Sequence, residues 1–477
     1  MGGHPAVAGL WPNLSRTRRS ASLQKESLFA AFLLTLWVAL PAHAQIETQS
    51  QTYDLTLEDC LGETFTHNPD IARVRADVER AAGTKLVYRS RALPQLAGQV
   101  RGGGRFGTLY SPEGAFSALT AQFSQPLIDV GIPPTLRRGN VEVVIAQQRL
   151  NGEVTDRLHE VRVTFLRSLY YRDLVALYED LSKVLKANID REQQRLDVGT
   201  GSEAALKSAK IQELNLAHDL ADLRTEYFSA TTRLAELCGR DLREATNGVR
   251  QVHLPKPAGT LRYVPVNPDW TQAVAYAREH RADLKLLEAL VNAAKNDQEI
   301  ARAGYFPFVS LVSSALFIPE DVLLSKQTGV VPGQQTLASE LRAGVALSWH
   351  IIDNGQVTGA SRRFEAVRQG YEITLHKLEE NIPGELATVK GALQNADARR
   401  DALLRSVDSA EENLKLIESQ VALGDATQFD FLKAQENLLF VRTGVLDATY
   451  THELARAELD RVLGRYLEYS ATDAKDR

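Results

Sequence analysis

Hydrophobic side chains recur at steps of three and four residues over long stretches of the chain. In the second half these positions occupy residues 389–421 and, after a short polar interval, residues 438–462. Residues 220–237 of the first half show the same spacing. Alternating steps of three and four align apolar side chains as one seam along a long helix, as in a coiled coil. The pattern therefore predicts one antiparallel helical hairpin in each half.

Shorter segments alternate between apolar and polar side chains at every residue. Leu119 and Phe123 fall on one face of residues 115–126, whereas Gln122 and Ser124 fall on the other. Residues 96–106 and 338–350 alternate in the same way. Strands of about ten residues with one apolar and one polar face are typical of outer-membrane β-barrels. The polar side chains predicted to face the barrel lumen are Gln99, Arg101, Gln122, Ser124, Glu340 and Arg342.

Each predicted hairpin contains a glycine and a short polar stretch at the point where the helix must reverse. The two stretches read "VGTGSEAALKSAK" from Val198 and "LGDATQFDFLKAQ" from Leu423. Glycine readily adopts the left-handed backbone conformation that ends a helix. The predicted hairpin tips are Gly199, Thr200 and Gly201 in the first half and Gly424, Asp425 and Ala426 in the second.

The two halves of the chain share a common order of elements. "NPDIARVRADV" around Asp70 aligns with "RADLKLLEALV" around Asp283, and "QPLIDVG" around Asp129 aligns with "WHIIDNG" around Asp353. The order helix, strand, loop, strand, long helix, tight turn, long helix therefore occurs twice, which indicates an internal duplication.

The duplication also predicts the domain boundaries. We expect a first repeat at residues 45–240, a linker at 241–268, a second repeat at 269–465 and a tail at 466–477. In the first repeat the strands are expected at about 94–127 and the helical hairpin at about 131–238. In the second repeat they are expected at about 306–351 and about 356–464.

The predicted fold is mostly α-helical with a contribution to a membrane β-barrel. Four strands in one chain cannot close a barrel, because the smallest membrane barrels have about eight. An open sheet edge in lipid would leave backbone groups unpaired, at several kcal/mol each. The strand count therefore predicts that several chains share one barrel.

The N-terminal residues have the pattern of an export signal. The apolar segment 28–40 is about half of the roughly 20 residues that a membrane-spanning helix needs. Arginine and lysine precede it, and "AHAQ", with small residues at Ala42 and Ala44, follows it. We expect a signal peptide at residues 1–44 and a mature chain that begins at Gln45.

Export places the chain in an oxidising compartment, where cysteine pairs can form disulfides. The chain has 2 cysteines, Cys60 and Cys238, so disulfides do not organise the fold. The two residues are expected either as buried thiols or as a single bridge.

Composition and motifs argue against several other functions. A net charge of −5, with both signs spread along the chain, argues against a nucleic-acid partner. The ten histidines include no HExxH pair and no Cys/His cluster. We therefore expect no catalytic, cofactor-binding or metal site, and a protein that is not an enzyme.

Several motifs resemble those of the TolC-like outer-membrane efflux protein family. "YDLTLEDCLGETFTHNPDI" is similar to the family's opening segment, "IARAGYFPFVSL" to its later proline-containing segment, and "QPLIDVG" to its "QPLfdgG" motif. The duplicated glycine turns resemble the family's two periplasmic hairpin tips. The resemblance covers nearly all of the chain after the signal peptide.

This resemblance implies a homotrimer with twelve strands in one outer-membrane barrel and a long α-helical barrel in the periplasm. Such proteins are passive exit ducts that contact outer-membrane lipid. They dock an inner-membrane transporter through a periplasmic adaptor, and the tips are the implied docking site. The implied function is small-molecule efflux in a tripartite pump, with type I protein secretion as an alternative. A periplasmic coiled-coil scaffold would explain the helices and the signal but not the strands.

The resemblance also implies an acidic constriction just beyond the second tip. Asp430 occupies such a position, while Lys433 stands where a second acidic residue occurs in the family. We therefore predict that both residues line the periplasmic entrance. The simpler alternative is that Asp430 is a solvated helix residue.

Overall fold

A computed structural model describes residues 52–105, 114–240, 245–246, 249–250, 254–317 and 339–466. The predicted signal peptide at 1–44 and residues 467–477 of the predicted tail lie outside the described residues.

The first half contains a short strand, two helices, a strand pair and a helical hairpin. Its elements are β1 (Thr52–Leu55), α1 (Leu57–His67), α2 (Pro69–Ser90), β2 (Gln95–Arg105), β3 (Gly114–Ile128), α3 (Ile132–Asp197) and α4 (Glu203–Leu237). Thr56 starts α1 with a capping box, in which its hydroxyl and the Asp59 carboxylate each accept a hydrogen bond from the other residue's backbone N–H. Asn68 caps α2, and Pro69 occupies its first turn.

The second half repeats this order after three additional short strands. Its elements are β4 (Ala245–Thr246), β5 (Val249–Arg250), β6 (Leu254–Pro257), α5 (Trp270–His280), α6 (Ala282–Arg302), a 3-10 turn (Ala303–Tyr305), β7 (Phe308–Phe317), β8 (Ser339–Ser348), α7 (Gln356–Leu423) and α8 (Gln428–Leu463). The segment expected as the inter-repeat linker, 241–268, contains β4, β5 and β6. Strand β6 pairs in parallel with β1, which connects the start of the described chain to the middle of the sequence.

The longer strands form one antiparallel sheet in the order β2-β3-β7-β8. Strand β3 of the first half pairs with β7 of the second half, with Ala121 opposite Ala315. The sheet therefore joins the two repeats in a single layer.

The hairpin helices are long and unequal in length. Helix α3 has 66 residues and α7 has 68, so each is about 100 Å long at 1.5 Å per residue. Their partners α4 and α8 have 35 and 36 residues. Along the rest of their length, α3 packs against α2 and α6, and α7 packs against α6.

The predicted coiled-coil seam is confirmed along α7. Leu386, Val389, Leu393 and Ala396 are buried at the expected steps of three and four; the seam positions between Ala396 and Ala410 are half-buried, and Ala410 is buried. Nearer the tips, Leu181 and Leu185 of α3 form one apolar cluster with Leu216 of α4 and Leu432 of α8. The hairpins of the two repeats are therefore packed against each other rather than separate.

Candidate channel lining and entrance

The four-stranded sheet has one polar face, which contains all six predicted lumen residues. In an antiparallel sheet, directly paired residues project to the same side. Ala97, two residues before Gln99, pairs with Gln122. Gln122 also pairs with Ser314, which in turn pairs with Arg342. The register thus places Gln99, Arg101, Gln122, Ser124, Glu340 and Arg342 on one side.

The other face of the sheet is apolar and exposed. Val100 of β2 pairs with Leu119 of β3, and these side chains are 77% and 46% exposed. At the far edge, Leu341 and Val345 of β8 are 76% and 65% exposed. An apolar face of this kind requires a partner or a lipid environment. The two faces differ as they do in a membrane barrel wall.

Charged groups are present on the polar face. Arg342 Nε donates a hydrogen bond to Glu340 Oε1 at 2.7 Å. A concavity of about 490 Å³ lies against β3, β7 and β8, and its lining includes Gln122, Ser124 and Arg342. This side of the sheet is suited to contact with water and with polar solutes.

Both helical hairpins reverse at a glycine in the left-handed conformation. Gly199 has a φ of 79° and Gly424 a φ of 84°. At the first tip the Thr200 N–H donates to the Arg195 carbonyl oxygen at 2.9 Å, and at the second tip the Asp425 N–H donates to the Gln420 carbonyl oxygen at 2.9 Å. These bonds satisfy carbonyl groups that the helix end leaves free.

Space around the backbone is restricted at the first tip. A Cβ atom on Gly201 would lie 2.5 Å from the Leu196 backbone nitrogen. A side chain at Gly201 is therefore sterically excluded unless the tip shifts, which explains the second glycine in "VGTG".

Exposed apolar side chains flank the tips, although they were not among the residues predicted from the sequence. Val198 and Leu423 are 79% and 77% exposed, and Phe429 is 58% exposed. Large exposed apolar side chains grouped at one end of a molecule are typical of a contact surface. Docking of another protein at the tips remains a prediction.

Asp430 has a structural role at the second tip. Its backbone N–H donates to the Thr427 hydroxyl oxygen at 3.2 Å, and the Thr427 N–H donates to Asp430 Oδ2 at 3.0 Å. Together these bonds form a capping box at the start of α8, whereas Ser202 at the start of α4 makes no side-chain cap. The spacing Thr-x-x-Asp was the sequence signal for this cap.

The same hydrogen bonds favour the ionised form of the Asp430 carboxylate. The hydrogen bonds from the Thr427 hydroxyl and amide lower the pKa of Asp430, and the nearby positive charge of Lys433 lowers it further. The side chains of Asp430 and Lys433 are exposed. Asp430 is therefore ionised at neutral pH and accessible to solvent, and its place in the entrance remains a prediction.

Two features are absent from the described part of the chain. Within it, no group of three or more His, Cys, Asp or Glu side chains is arranged to hold a metal ion. None of the helices in these same ranges is long and apolar enough to cross a membrane.

Comparison with known proteins identifies the family. A model described as outer membrane efflux protein matches residues 61–240 and 274–465. The alkaline protease secretion protein AprF of Pseudomonas aeruginosa is 21% identical over 455 residues, which cover 91% of this chain and 86% of AprF. The proteases secretion protein PrtF of Dickeya chrysanthemi is 21% identical over 335 residues, 69% of each chain.

A solved structure shows the same fold. The outer membrane protein VceC of Vibrio cholerae has a TM-score of 0.69 and 17% identity, and the match covers 86% of this chain and 96% of VceC. The family match spans both repeats and most of the chain. The chain therefore belongs to the outer membrane efflux protein family, whose TolC-like channels lie in the outer membrane and extend into the periplasm.

Proposed function

We propose that three copies of this chain form one twelve-stranded barrel in the outer membrane. The main support for this proposal is the structure of the four-stranded sheet. It has an exposed apolar face, and among the described residues the outer edges of β2 and β8 have no strand partner. Unpaired backbone groups are unfavourable in lipid, so β8 of one copy would pair with β2 of the next. Three sheets of four strands then close one wall.

In this assembly the long helices continue the duct into the periplasm. The polar sheet face, with Gln99, Gln122 and Arg342, would line the lumen, and the apolar face would contact outer-membrane lipid. The tips around Gly199 and Gly424 would form the periplasmic end, where the exposed Val198, Leu423 and Phe429 support docking of a periplasmic adaptor. Through that adaptor the duct would serve an inner-membrane transporter.

The proposed cargo is small molecules, carried passively through a tripartite efflux pump. The description of the matched family as efflux proteins supports this choice. Type I protein secretion is the second candidate, because the relatives AprF and PrtF are named as protease secretion proteins.

Cross-linking of the sheet edges tests the shared barrel. In a variant with Cys60→Ala and Cys238→Ala, cysteines would replace Val100 on β2 and Val345 on β8. These strands lie at opposite edges of the sheet in one chain. A short bis-maleimide should therefore link different copies, and denaturing gels should show dimers and trimers but nothing larger.

The matched control places both cysteines on neighbouring strands. Ala121 and Ala315 pair directly within one chain and lie on the same apolar face as Val100 and Val345. Cysteines at these two positions should yield linked monomers only. Monomers alone from the edge variant would contradict the shared barrel.

Transport measurements in a deletion strain separate the two cargo classes. For the efflux proposal, cells without the protein should accumulate a fluorescent drug several-fold and recover with the plasmid-borne gene, while secreted proteins in the medium stay unchanged. Loss of one secreted protein with unchanged drug accumulation would favour the second candidate.

Charge substitutions at the second tip test the predicted entrance. Asp430→Asn removes the charge but keeps an oxygen that can accept the capping bonds. Three converging carboxylates attract cations, so Asp430→Asn should lower the cation preference in planar-bilayer recordings, and Lys433→Ala should raise it.

The control removes the cap and keeps the carboxylate. Thr427→Ala deletes the hydroxyl that bonds Asp430, so helix α8 should fray at its start while the ion selectivity stays close to that of the wild type. Unchanged selectivity in both Asp430→Asn and Lys433→Ala would leave Asp430 with a capping role alone.

A further inference from the structure

The end of the first helical hairpin is fastened to the N-terminal helix α1 by several polar contacts. Asn68 Nδ2 donates a hydrogen bond to the Leu237 carbonyl oxygen at 2.9 Å, and Arg240 forms an ion pair with Glu63. Gly239, with a φ of 70°, lies so close to α1 that an added Cβ would be 2.4 Å from the His67 carbonyl oxygen. We call the contact between residues 60–68 and 237–240 the first clasp.

The two cysteines of the protein lie side by side in the first clasp. Cys60 and Cys238 are both 0% exposed and belong to one apolar cluster with Val161, Phe165 and Leu234. The Cys238 thiol donates a hydrogen bond to the Cys60 carbonyl oxygen at 3.9 Å. The contacts on either side hold the two cysteine backbones together.

The second repeat contains an equivalent close contact, the second clasp, without sulfur. Gly464, with a φ of 76°, follows the end of α8, and an added Cβ would lie 3.1 Å from the His280 carbonyl oxygen at the end of α5. At the positions of Cys60 and Cys238, this second clasp has Ala273 and Leu463, which are buried in one apolar cluster. The packing itself therefore does not require thiols.

We propose that Cys60 and Cys238 form a disulfide bond in the exported protein. The clasp lies outside the membrane sheet, and the periplasm is an oxidising compartment. Both cysteines occupy contact positions, and the polar contacts of the clasp already bring their backbones together. The bond would join α1 covalently to the end of α4 and so enclose the first strand pair and helical hairpin in one loop.

The chemistry requires an oxidant, which we assign to a periplasmic thiol oxidase with its own disulfide. One cysteine thiolate attacks that disulfide and forms a mixed disulfide with the oxidase. The other cysteine then attacks the sulfur of the first cysteine, which forms the Cys60–Cys238 bond and releases the oxidase thiol. The two cysteines lose two protons and two electrons in total, and the oxidase disulfide becomes a dithiol.

This reaction would occur before the clasp is fully packed. Both cysteines are 0% exposed in the packed clasp, so an oxidase has no access to either sulfur there. Once formed, the bond would be shielded by the same burial.

Thiol counting on the full chain tests the proposal. Protein purified from outer membranes is denatured without reductant and treated with a maleimide, and the attached labels are counted by mass spectrometry. We expect no label before reduction, two labels after it, and an unreduced mass lower by two hydrogen atoms. The Cys60→Ala variant should take one label and so report the labelling efficiency. Two labels on unreduced wild type would overturn the proposal.

A variant that copies the second clasp provides an independent measurement. Cys60→Ala with Cys238→Leu reproduces the Ala273 and Leu463 pair, so it should pack without sulfur. Reductant should shift the urea unfolding midpoint of the wild type to lower concentration and leave that of the double variant unchanged. An equal response of the two proteins, or no response in the wild type, would contradict a disulfide.

Discussion

Arginine in place of Val100 should prevent stable insertion of the protein into the outer membrane. Val100 lies at the middle of β2, on the apolar face opposite Leu119, and it is 77% exposed in one chain. A charge on the lipid face near the bilayer midplane costs about 2–4 kcal/mol, and a trimer would contain three such charges. Membrane fractionation and native gels should show loss of the inserted trimer.

Gln99→Arg is the matched control for this substitution. Gln99 is the adjacent residue on the same strand, but it lies on the polar face that also contains Arg101. A charge that faces a water-filled lumen is tolerated, so Gln99→Arg should insert almost as well as the wild type. Equal insertion of both variants would show that the face with Val100 does not contact lipid.

Gly239→Ala should be among the most destabilising single-methyl changes outside the sheet. The added Cβ would lie 2.4 Å from the His67 carbonyl oxygen, and the φ of 70° is unfavourable for any residue with a Cβ. Left-handed backbone alone costs about 1–2 kcal/mol, and the collision must also displace α1 from the end of α4. We expect a total loss of about 3 kcal/mol or more, measured as a lower urea midpoint by circular dichroism.

Gly259→Ala and Gly464→Ala separate the two causes. Gly259 has a φ of 99° but no neighbour within 4 Å of an added Cβ, so its substitution should show the backbone cost alone. Gly464 has a φ of 76° and a nearest approach of 3.1 Å, so it should fall between the other two. An equal loss of stability for Gly239→Ala and Gly259→Ala would mean that α1 and the end of α4 can move apart in the first clasp without further loss of stability.

The parts of the fold that follow from local periodicity were predictable from the sequence. The steps of three and four from Val389 to Ala410 can be read from one continuous stretch of sequence, and the buried and half-buried residues of α7 follow the same steps. Strand faces follow from alternation alone, because neighbouring side chains point to opposite sides of a sheet. The reversals at Gly199 and Gly424 follow from the backbone freedom of glycine.

Features that depend on contacts between distant residues were not predictable in this way. Strands β1 and β6 have four residues each, too few for a pattern, and Thr52 pairs with Leu254 from the middle of the chain. The pairing occurs although β6 contains Pro255 and Pro257, which cannot donate hydrogen bonds. The first clasp is likewise formed by residues far apart in sequence.

The role of Asp430 shows a different limit. Its position after the second tip suggested an entrance residue, whereas its nearest partner, Thr427, makes it part of a helix cap. One carboxylate can serve both roles, and sequence position alone does not distinguish them. A search for capping pairs would have identified the cap in advance.

Because α3 and α7 are long, a small tilt at one end of either helix produces a large displacement at its other end. Each runs without interruption from the end of a strand pair to a tip; its strand-side half packs against α6, whereas its tip-side half packs against the shorter hairpin partner. A tilt of roughly 3° at the strand end would move the far end of a helix about 100 Å long by roughly 5 Å. A small change in packing beside α6 would therefore displace the tip by more than the diameter of a water molecule.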